Sequence, residues 1–332
     1  MIQGSAAGES SAKPYAFTSA KKALADALQR RKTDGDVQDG LFPSSYRICY
    51  SICGNPPVSI IIPTKDNVDV LKRCVSSILE KTTYDNYEIL LIDNQSIRKE
   101  TFDYYEHLKP NLKIRILSYD KPFNYSAINN FAVTQATSPY ILFLNNDTEV
   151  ISGEWLIAML EHAQRENIGA VGAKLLYPNN TVQHAGVVIG IMGNPSIGGH
   201  AHRHLPYQDH GYFGRADNIQ NVSAVTAACL LMKKEIFEKI GGFEEELAIA
   251  FNDVDLCLKI RDAGYLIVYT PYALLYHHES LSRGSEDTVE KLKRFEREVM
   301  YIRSKWRVIF EKGDPYYNRN LTTDKEDFSI RI

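Results

Sequence analysis

The decapeptide VSIIIPTKDN, residues 58–67, decides the fold. Residues 58–62 are β-branched apart from Ser59, and an apolar run without alternation marks a strand buried on both faces, as strands of a parallel sheet are. Pro63 and Thr64 follow it, and Asp66 or Asn67 stands where a helix cap is needed. Leu71, Cys74, Val75, Ile78 and Leu79 then make one apolar stripe at helical spacing. The same alternation repeats downstream. Strands are expected over 88–92, 113–118 and 140–144, with helices over 101–108 and 126–136 between them. Strand and helix at this spacing give an α/β fold: a doubly wound, mainly parallel sheet with helices on both faces. Ligands of such sheets bind beyond the carboxyl ends of the strands. Thr64 and Asp66, then Asp93, then Asn146 and Asp147 lie there. These carboxylates and amides suit a base edge, ribose hydroxyls and one divalent cation beside a diphosphate.

The second half is less regular. Helices are expected over 155–163, 234–240 and 252–263, the last closed by Gly264. Strands are expected over 170–176, 187–191, 222–232, 266–269 and 273–276, with a Gly/His/Pro loop over 193–214. Upstream of the core, residues 1–19 read as a flexible lead-in, 20–31 as a short amphipathic helix, 33–40 as a polar linker and 46–52 as an edge strand. Downstream, Leu292, Phe295, Val299, Ile302 and Trp306 keep a 3-4 spacing, so a long helix packs one face on the body. The division is therefore an N-terminal extension (1–57), a main domain (58–285, halved near 150) and a helical tail (286–332).

Composition narrows the function. Of 332 residues, 44% are apolar and 24% charged, which excludes disordered and low-complexity classes. Thirty-eight basic against 41 acidic residues leave a net charge of -3, so no basic field exists to hold a nucleic acid. Apolar runs are far shorter than a membrane span. Five cysteines without C-x-x-C spacing read as buried free thiols of a reducing compartment, and the start lacks a basic n-region with an apolar stretch behind it; a cytoplasmic protein is expected. Neither G-x-G-x-x-G after the first strand nor G-x-x-x-x-G-K-[ST] anywhere is present, against a dinucleotide oxidoreductase and a P-loop NTPase.

The segments VSIIIPTKDN, EILLIDNQS, YILFLNNDTEV, VTAACLLM, GGFEEE, FNDVDLCLKIRDAGY and YHHES, in this order, resemble the family 2 glycosyltransferases of GT-A fold over residues 58–285. YSAINN, QHAG, NDVDLCL and HHES are similar to bacterial enzymes of O-antigen and surface-polysaccharide assembly, rhamnosyltransferases among them, where such a domain is often one module of a longer chain. The resemblance implies a nucleoside-diphosphate sugar donor, a glycan or lipid-linked oligosaccharide acceptor, and Mn²⁺ or Mg²⁺ as cofactor. It places Pro63, Thr64, Asp66 and Asp93 at the nucleoside, with Asn124, Asn130 and Asn146 beside the nucleotide. Asn145-Asn146-Asp147 stands in the family's Asp-X-Asp region, so Asp147 is the implied metal ligand. His277 joins it in preference to His278, because the family often has a ligating histidine there. Asp253 matches the general base of an inverting transfer. Asp255, two residues on, points to another face, and is expected to steady the helix start or touch the acceptor. Lys174, His184 and Thr226 match positions near the donor sugar or acceptor. The cluster His200, His202, His204 reads as solvated rather than as a second metal site. Basic residues of the tail (Lys291, Lys293, Arg294, Arg303, Lys305, Arg307) suggest peripheral contact with the cytoplasmic face of an inner membrane. A nucleotidyltransferase would carry a Gly-rich basic loop where PTKDN has no glycine. A silent scaffold would have no use for Asp253 or His277.

Overall fold

A computed structural model describes residues 14–192, 197–279 and 288–331. The extension is more ordered than its composition suggests: α1 (Pro14–Arg30) is followed by β1 (Gly35–Asp39) and β2 (Tyr46–Tyr50), an antiparallel pair forming its own two-stranded sheet. Residues read as a linker thus form a strand. The hairpin is fixed to the body by Arg47, whose guanidinium lies 2.9 Å from Glu161 and over the ring of Tyr272.

The core begins at β3 (Val58–Thr64) and continues through α2 (Val68–Lys81), β4 (Tyr87–Asp93), α3 (Lys99–Leu108), β5 (Ile114–Ser118), α4 (Tyr125–Gln135) and β6 (Tyr140–Leu144), as the alternation predicts. There follow β7 (Thr148–Val150), α5 (Trp155–Ala163), β8 (Ile168–Leu176), β9 (Val182–His184), β10 (Val187–Ile189), β11 (Gly198–His200), β12 (Gln220–Val222), β13 (Cys229–Lys233), α6 (Lys234–Lys239), α7 (Asn252–Asp262) and β14 (Leu266–His277). The tail is α8 (Val289–Lys305) and α9 (Arg307–Lys312). β10 and β11 pair with each other, so β11 forms inside the stretch read as a loop; positions 193–196 of that stretch lie outside the described residues.

The main sheet runs β12-β14-β8-β13-β6-β3-β4-β5, with β7 on β14 and β9 on β8. β6, β3, β4 and β5 are mutually parallel, and β8 is parallel to β14. β13 is inserted antiparallel between β6 and β8. This reversal sets the geometry of the site. Because β13 runs backwards, its first residue, Cys229, stands opposite the last residue of β6, Leu144. The loop entering β13 therefore reaches the same rim as the carboxyl ends of β3, β4, β6, β8 and β14.

Strand residues alternate between two cores. Ile60, Ile62, Ile89, Leu91 and Leu142 face α2, α3 and α5, whereas Ile61, Leu90, Ile92 and Phe143 face α4, α6, α7 and the tail. Each fully buried leucine or isoleucine removes enough apolar surface from water to stabilise the fold by about 1.5–3 kcal/mol. Gly242, with φ +65°, returns its N–H to the carbonyl of Phe237 and ends α6; a side chain there would also meet Asn130 Oδ1 at 2.7 Å.

Two strand assignments change. Residues 222–232 are not one strand: β12 and β13 are separate, joined by a buried segment of small residues. Residues 266–277 are one strand rather than two, because Pro271 sits where the register with β8 shifts between Thr270 and Leu274. All five cysteines are free thiols, with Cys74, Cys229 and Cys257 buried. No helix among the described residues is long and apolar enough to cross a membrane.

Candidate functional site

The rim is assembled strand by strand. Thr64 ends β3 directly opposite Asp93 at the end of β4. Asp93 Oδ1 accepts from the Tyr105 hydroxyl at 2.7 Å and Oδ2 from the Ser96 N–H at 3.3 Å, so the carboxylate is held rigidly with lone pairs to spare. Burial, then this bond, raises the Tyr105 pKa and keeps the phenol a donor. Asn146, just past β6, donates to Thr64 Oγ1 at 3.2 Å and so joins the third strand end to the first. Pro63 precedes this pair on β3.

β7 folds back against the end of β14 in a register that sets Thr148 opposite His277. Asp147, one residue earlier, consequently meets the His277 ring, with Oδ1 3.1 Å from Nε2. His278 does not share the task, because its Nε2 pairs with Glu149 at 3.2 Å. Gln183 sets the His277 tautomer. Its amide nitrogen donates to the His277 carbonyl (3.4 Å) and to Glu279 (3.2 Å), which turns Oε1 towards His277 Nδ1 at 2.6 Å. An amide oxygen only accepts, so Nδ1 carries a hydrogen, and Nε2, the ring nitrogen able to offer a lone pair, faces Asp147 and the Asn145 amide at 3.2 Å. A lone pair opposed to a carboxylate oxygen is a donor set for a cation. Asp147 and His277 therefore fit a divalent cation and are the residues that would hold one. Among the described residues no group of three His, Cys, Asp or Glu side chains gathers around one point.

Asp253 arrives from the far side. It lies in the first turn of α7, and its Oδ2 accepts from the N–H of Ala227 at 3.2 Å. The neighbouring Ala228 carbonyl accepts from the N–H of Asn145. The carboxylate is thus two residues of backbone away from the Asp147 loop, on the same rim. Thr226, half-exposed, stands at the same turn.

His184 is wholly buried beneath this turn. Its Nε2 accepts from the Thr226 N–H at 3.4 Å, and its Nδ1 lies 2.8 Å from Nδ1 of His200. Burial, reinforced by His200 and His277, holds its pKa well below the ordinary value, so it remains a neutral prop for the 226–228 turn. The histidine cluster is correspondingly less solvated than expected: His200 bonds His184, and His202 is buried and stacked on Phe328 at 4.2 Å, leaving His204 as the exposed member.

Several expected contact residues are occupied otherwise. Lys174 is fully buried, with Nζ 2.6 Å from Asp217 and beneath the Tyr207 ring; it braces the 207–217 loop instead of facing a sugar. Asp255 is also fully buried and accepts from Trp306 Nε1 at 2.7 Å and from Lys305, so it anchors the tail and not an acceptor. Asp66 Oδ1 takes the N–H groups of Ile97 and Arg98 and the Thr101 hydroxyl, capping the start of α3. Asn124 caps α4 through Ala127 and donates to the Glu245 carbonyl. Asn130 clasps both backbone groups of Phe243. Both amides thereby tether the segment leading to Asp253. In the tail, Arg294 turns to Glu298 and Lys305 to Asp255 and Glu244.

Gln183 and Tyr105 went unnoticed in the sequence. Alternation along β9 held the signal for Gln183, since it must face away from the side taken by His184.

The chain matches the family described as Glycosyl transferase family 2 over residues 59–241, more than half its length. It belongs to the family 2 glycosyltransferases. This family 2 domain is 48% identical over 98% of its length to the uncharacterized protein y4gI of Sinorhizobium fredii, and 40% identical over 93% to the O-antigen biosynthesis protein RfbC of Myxococcus xanthus. It spans only 36% and 24% of those two proteins. In structure it is similar to GalNAc-T7 solved with UDP, GalNAc and Mn²⁺ (TM-score 0.62, 16% identity, 83% of this chain and 52% of that one). It is also similar to the mannosyltransferase PcManGT from Pyrobaculum calidifontis solved with GDP-Man and Mn²⁺ (TM-score 0.54, 14% identity, 90% and 74%). The fold of this family 2 glycosyltransferase is GT-A.

Proposed function

We propose that this domain transfers a sugar from a nucleoside-diphosphate donor to a hydroxyl of a growing surface glycan, with inversion at the anomeric carbon. The observation that carries the reading is the meeting of Asp147, His277 and Asp253 at one rim, the first two from the middle and the end of the main domain and the third through the Ala227–Ala228 turn. Thr64, Pro63 and Asp93 line the nucleoside side. Asp253 takes the proton of the acceptor hydroxyl while that oxygen attacks the anomeric carbon opposite the diphosphate. The bond from that carbon to the diphosphate oxygen breaks, and its electron pair leaves with the nucleotide. A base in this position contributes about 10²–10⁴-fold. Bound through Asp147 and His277, Mn²⁺ or Mg²⁺ would supply neutralisation of the charge on the leaving diphosphate. No covalent sugar intermediate is required, so one carboxylate suffices.

Similarity to RfbC supports O-antigen or related polysaccharide assembly as the setting. A 65-residue stretch 37% identical to an N-acetylglucosaminyl-diphospho-decaprenol L-rhamnosyltransferase of Mycobacterium tuberculosis supports dTDP-rhamnose as the first donor to test, with UDP-hexoses next and a lipid-linked glycan as acceptor. The outer stripe of α8, with Val289, Leu292 and Met300 exposed beside Lys293, Arg297 and Arg303, supports peripheral attachment at the cytoplasmic face of a membrane. A donor panel read by thermal shift with Mn²⁺ and by sugar release tests the function. One nucleotide sugar is expected to raise Tm and to be turned over, and a panel with neither response overturns the reading.

A further inference from the structure

The segment that delivers Asp253 is gripped by the C-terminal tail. Residues 249–251 lead into α7 in a costly conformation: Phe251, the residue before the helix, has φ +62°, a left-handed backbone that a bulky side chain adopts only when its surroundings impose it. Its neighbours supply that imposition. The Glu298 side chain, 2% exposed, accepts from the N–H of Ile249 through Oε1 (3.0 Å) and from that of Ala250 through Oε2 (3.2 Å). One turn earlier on α8, Phe295 packs on Phe251 with ring centroids 5.5 Å apart. Beyond these, at the end of α8, Trp306 and Lys305 hold Asp255, on the face of α7 opposite Asp253. From the other direction Tyr125, Ser126 and Asn130 of α4 fix the backbone at 243–248. Regular structure is far behind: α6 ends at Lys239, and among the described residues no sheet ladder reaches 243–251.

We infer that Glu298 is a positioning residue for the transfer reaction, its carboxylate bridging two successive backbone N–H groups so that α7 starts where Asp253 meets the acceptor hydroxyl. The inference rests on the assignment of Asp253 as the base. It extends the working site to the tail, which lies outside the stretch matched to the family. A carboxylate suits this place because both of its oxygens accept; an amide would set an NH₂ group against one of the two backbone donors.

The test compares Glu298→Gln with Glu298→Asp, which keeps the charge but shortens its reach and serves if the first does not fold, and with Asp253→Asn, all in the full chain. Turnover is measured with dTDP-rhamnose and UDP-galactose, nucleotide binding by calorimetry with dTDP and UDP in the presence of Mn²⁺, and backbone order by hydrogen exchange at residues 249–255. Glu298→Gln is expected to lower kcat about 10- to 100-fold, the loss that small displacements of a catalytic group cause. Donor KM and nucleotide affinity should stay within about twofold of wild type, while exchange at Ile249 and Ala250 accelerates. Full kcat despite accelerated exchange overturns the inference, as does a parallel loss of nucleotide affinity and kcat, which would mark a general structural role. If Asp253→Asn itself keeps normal turnover, the assignment of the base fails instead, and the two failures are told apart.

Discussion

Asp253 and Asp255 stand two residues apart in the first turn of α7 and serve opposite sides of it. Asp253 Oδ2 accepts from Ala227 N–H at 3.2 Å, on the sheet rim, and Asp255 Oδ1 accepts from Trp306 Nε1 at 2.7 Å, in the packing against the tail. A helix turns by about 100° per residue, so an i, i+2 pair cannot share a face. Asp255 holds the helix, and Asp253 is the acid that the proposed chemistry uses.

Asp253→Asn preserves the acceptor oxygen for Ala227 while removing the proton-accepting charge. Turnover is expected to fall about 10²–10⁴-fold with nucleotide affinity unchanged. Initial rates and calorimetry on the same preparation check this.

Removal of either metal-facing group acts earlier. Asp147→Ala and His277→Ala should each abolish the part of nucleoside-diphosphate affinity that depends on Mn²⁺, leaving the weak metal-independent binding in place. Titration of UDP or dTDP with Mn²⁺ and with EDTA measures the difference. Equal affinities in wild type under the two conditions would show that the pair holds no cation.

Gln183 accepts from His277 Nδ1 and so fixes which nitrogen of the ring is turned to Asp147. Gln183→Leu leaves Nδ1 without its acceptor and lets the ring turn. Metal affinity should drop about 10- to 100-fold, the usual cost of losing such a partner, while Asp253 remains in place. Mn²⁺ titration of activity reads the change.

Acid should loosen the tail end before it touches the main sheet. Burial lowers the pKa of His202 from the ordinary value near 6.5 to about 4, and that of His162 to about 3. Between the ordinary and the lowered values the unfolded chain binds more protons than the folded one, so stability rises with pH. The contribution of His202 is complete above about pH 6.5 and is lost as pH falls towards 4. His202→Phe, which keeps the stack on Phe328, should flatten the decline of Tm between pH 6.5 and 4 relative to wild type.

Local patterns carried the first half of the fold: the runs of β3, β4 and β6 and the stripe of α2 state burial and period directly. Long-range decisions were less legible. Pro271 reads as a break, and only the register shift opposite β8 shows why the strand survives it. Residues 224–228, small and mostly apolar, read as strand because nothing local says they must turn at a crowded rim. Lys174 is similarly taken up by Asp217, distant in sequence, and of the two roles expected for Asp255 its bond to Trp306 fits the one that steadies the helix. Resemblance names the acids proposed for the rim; which amide orients His277 follows only from the placing of β9 beside β14.

The contact between Arg47 and Glu161 bears on how the protein can be dissected. Glu161 sits on α5, inside the family-matched stretch, while its cation comes from the hairpin ahead of it. Burial already pushes the Glu161 carboxyl upwards, and Arg47 opposes it. A fragment cut at residue 58 would lose Arg47 together with β2, which packs on α5, leaving Glu161 without its cation and that face of the helix uncovered. The smallest autonomous unit is therefore longer than its homology boundary, and expression trials should start ahead of α1.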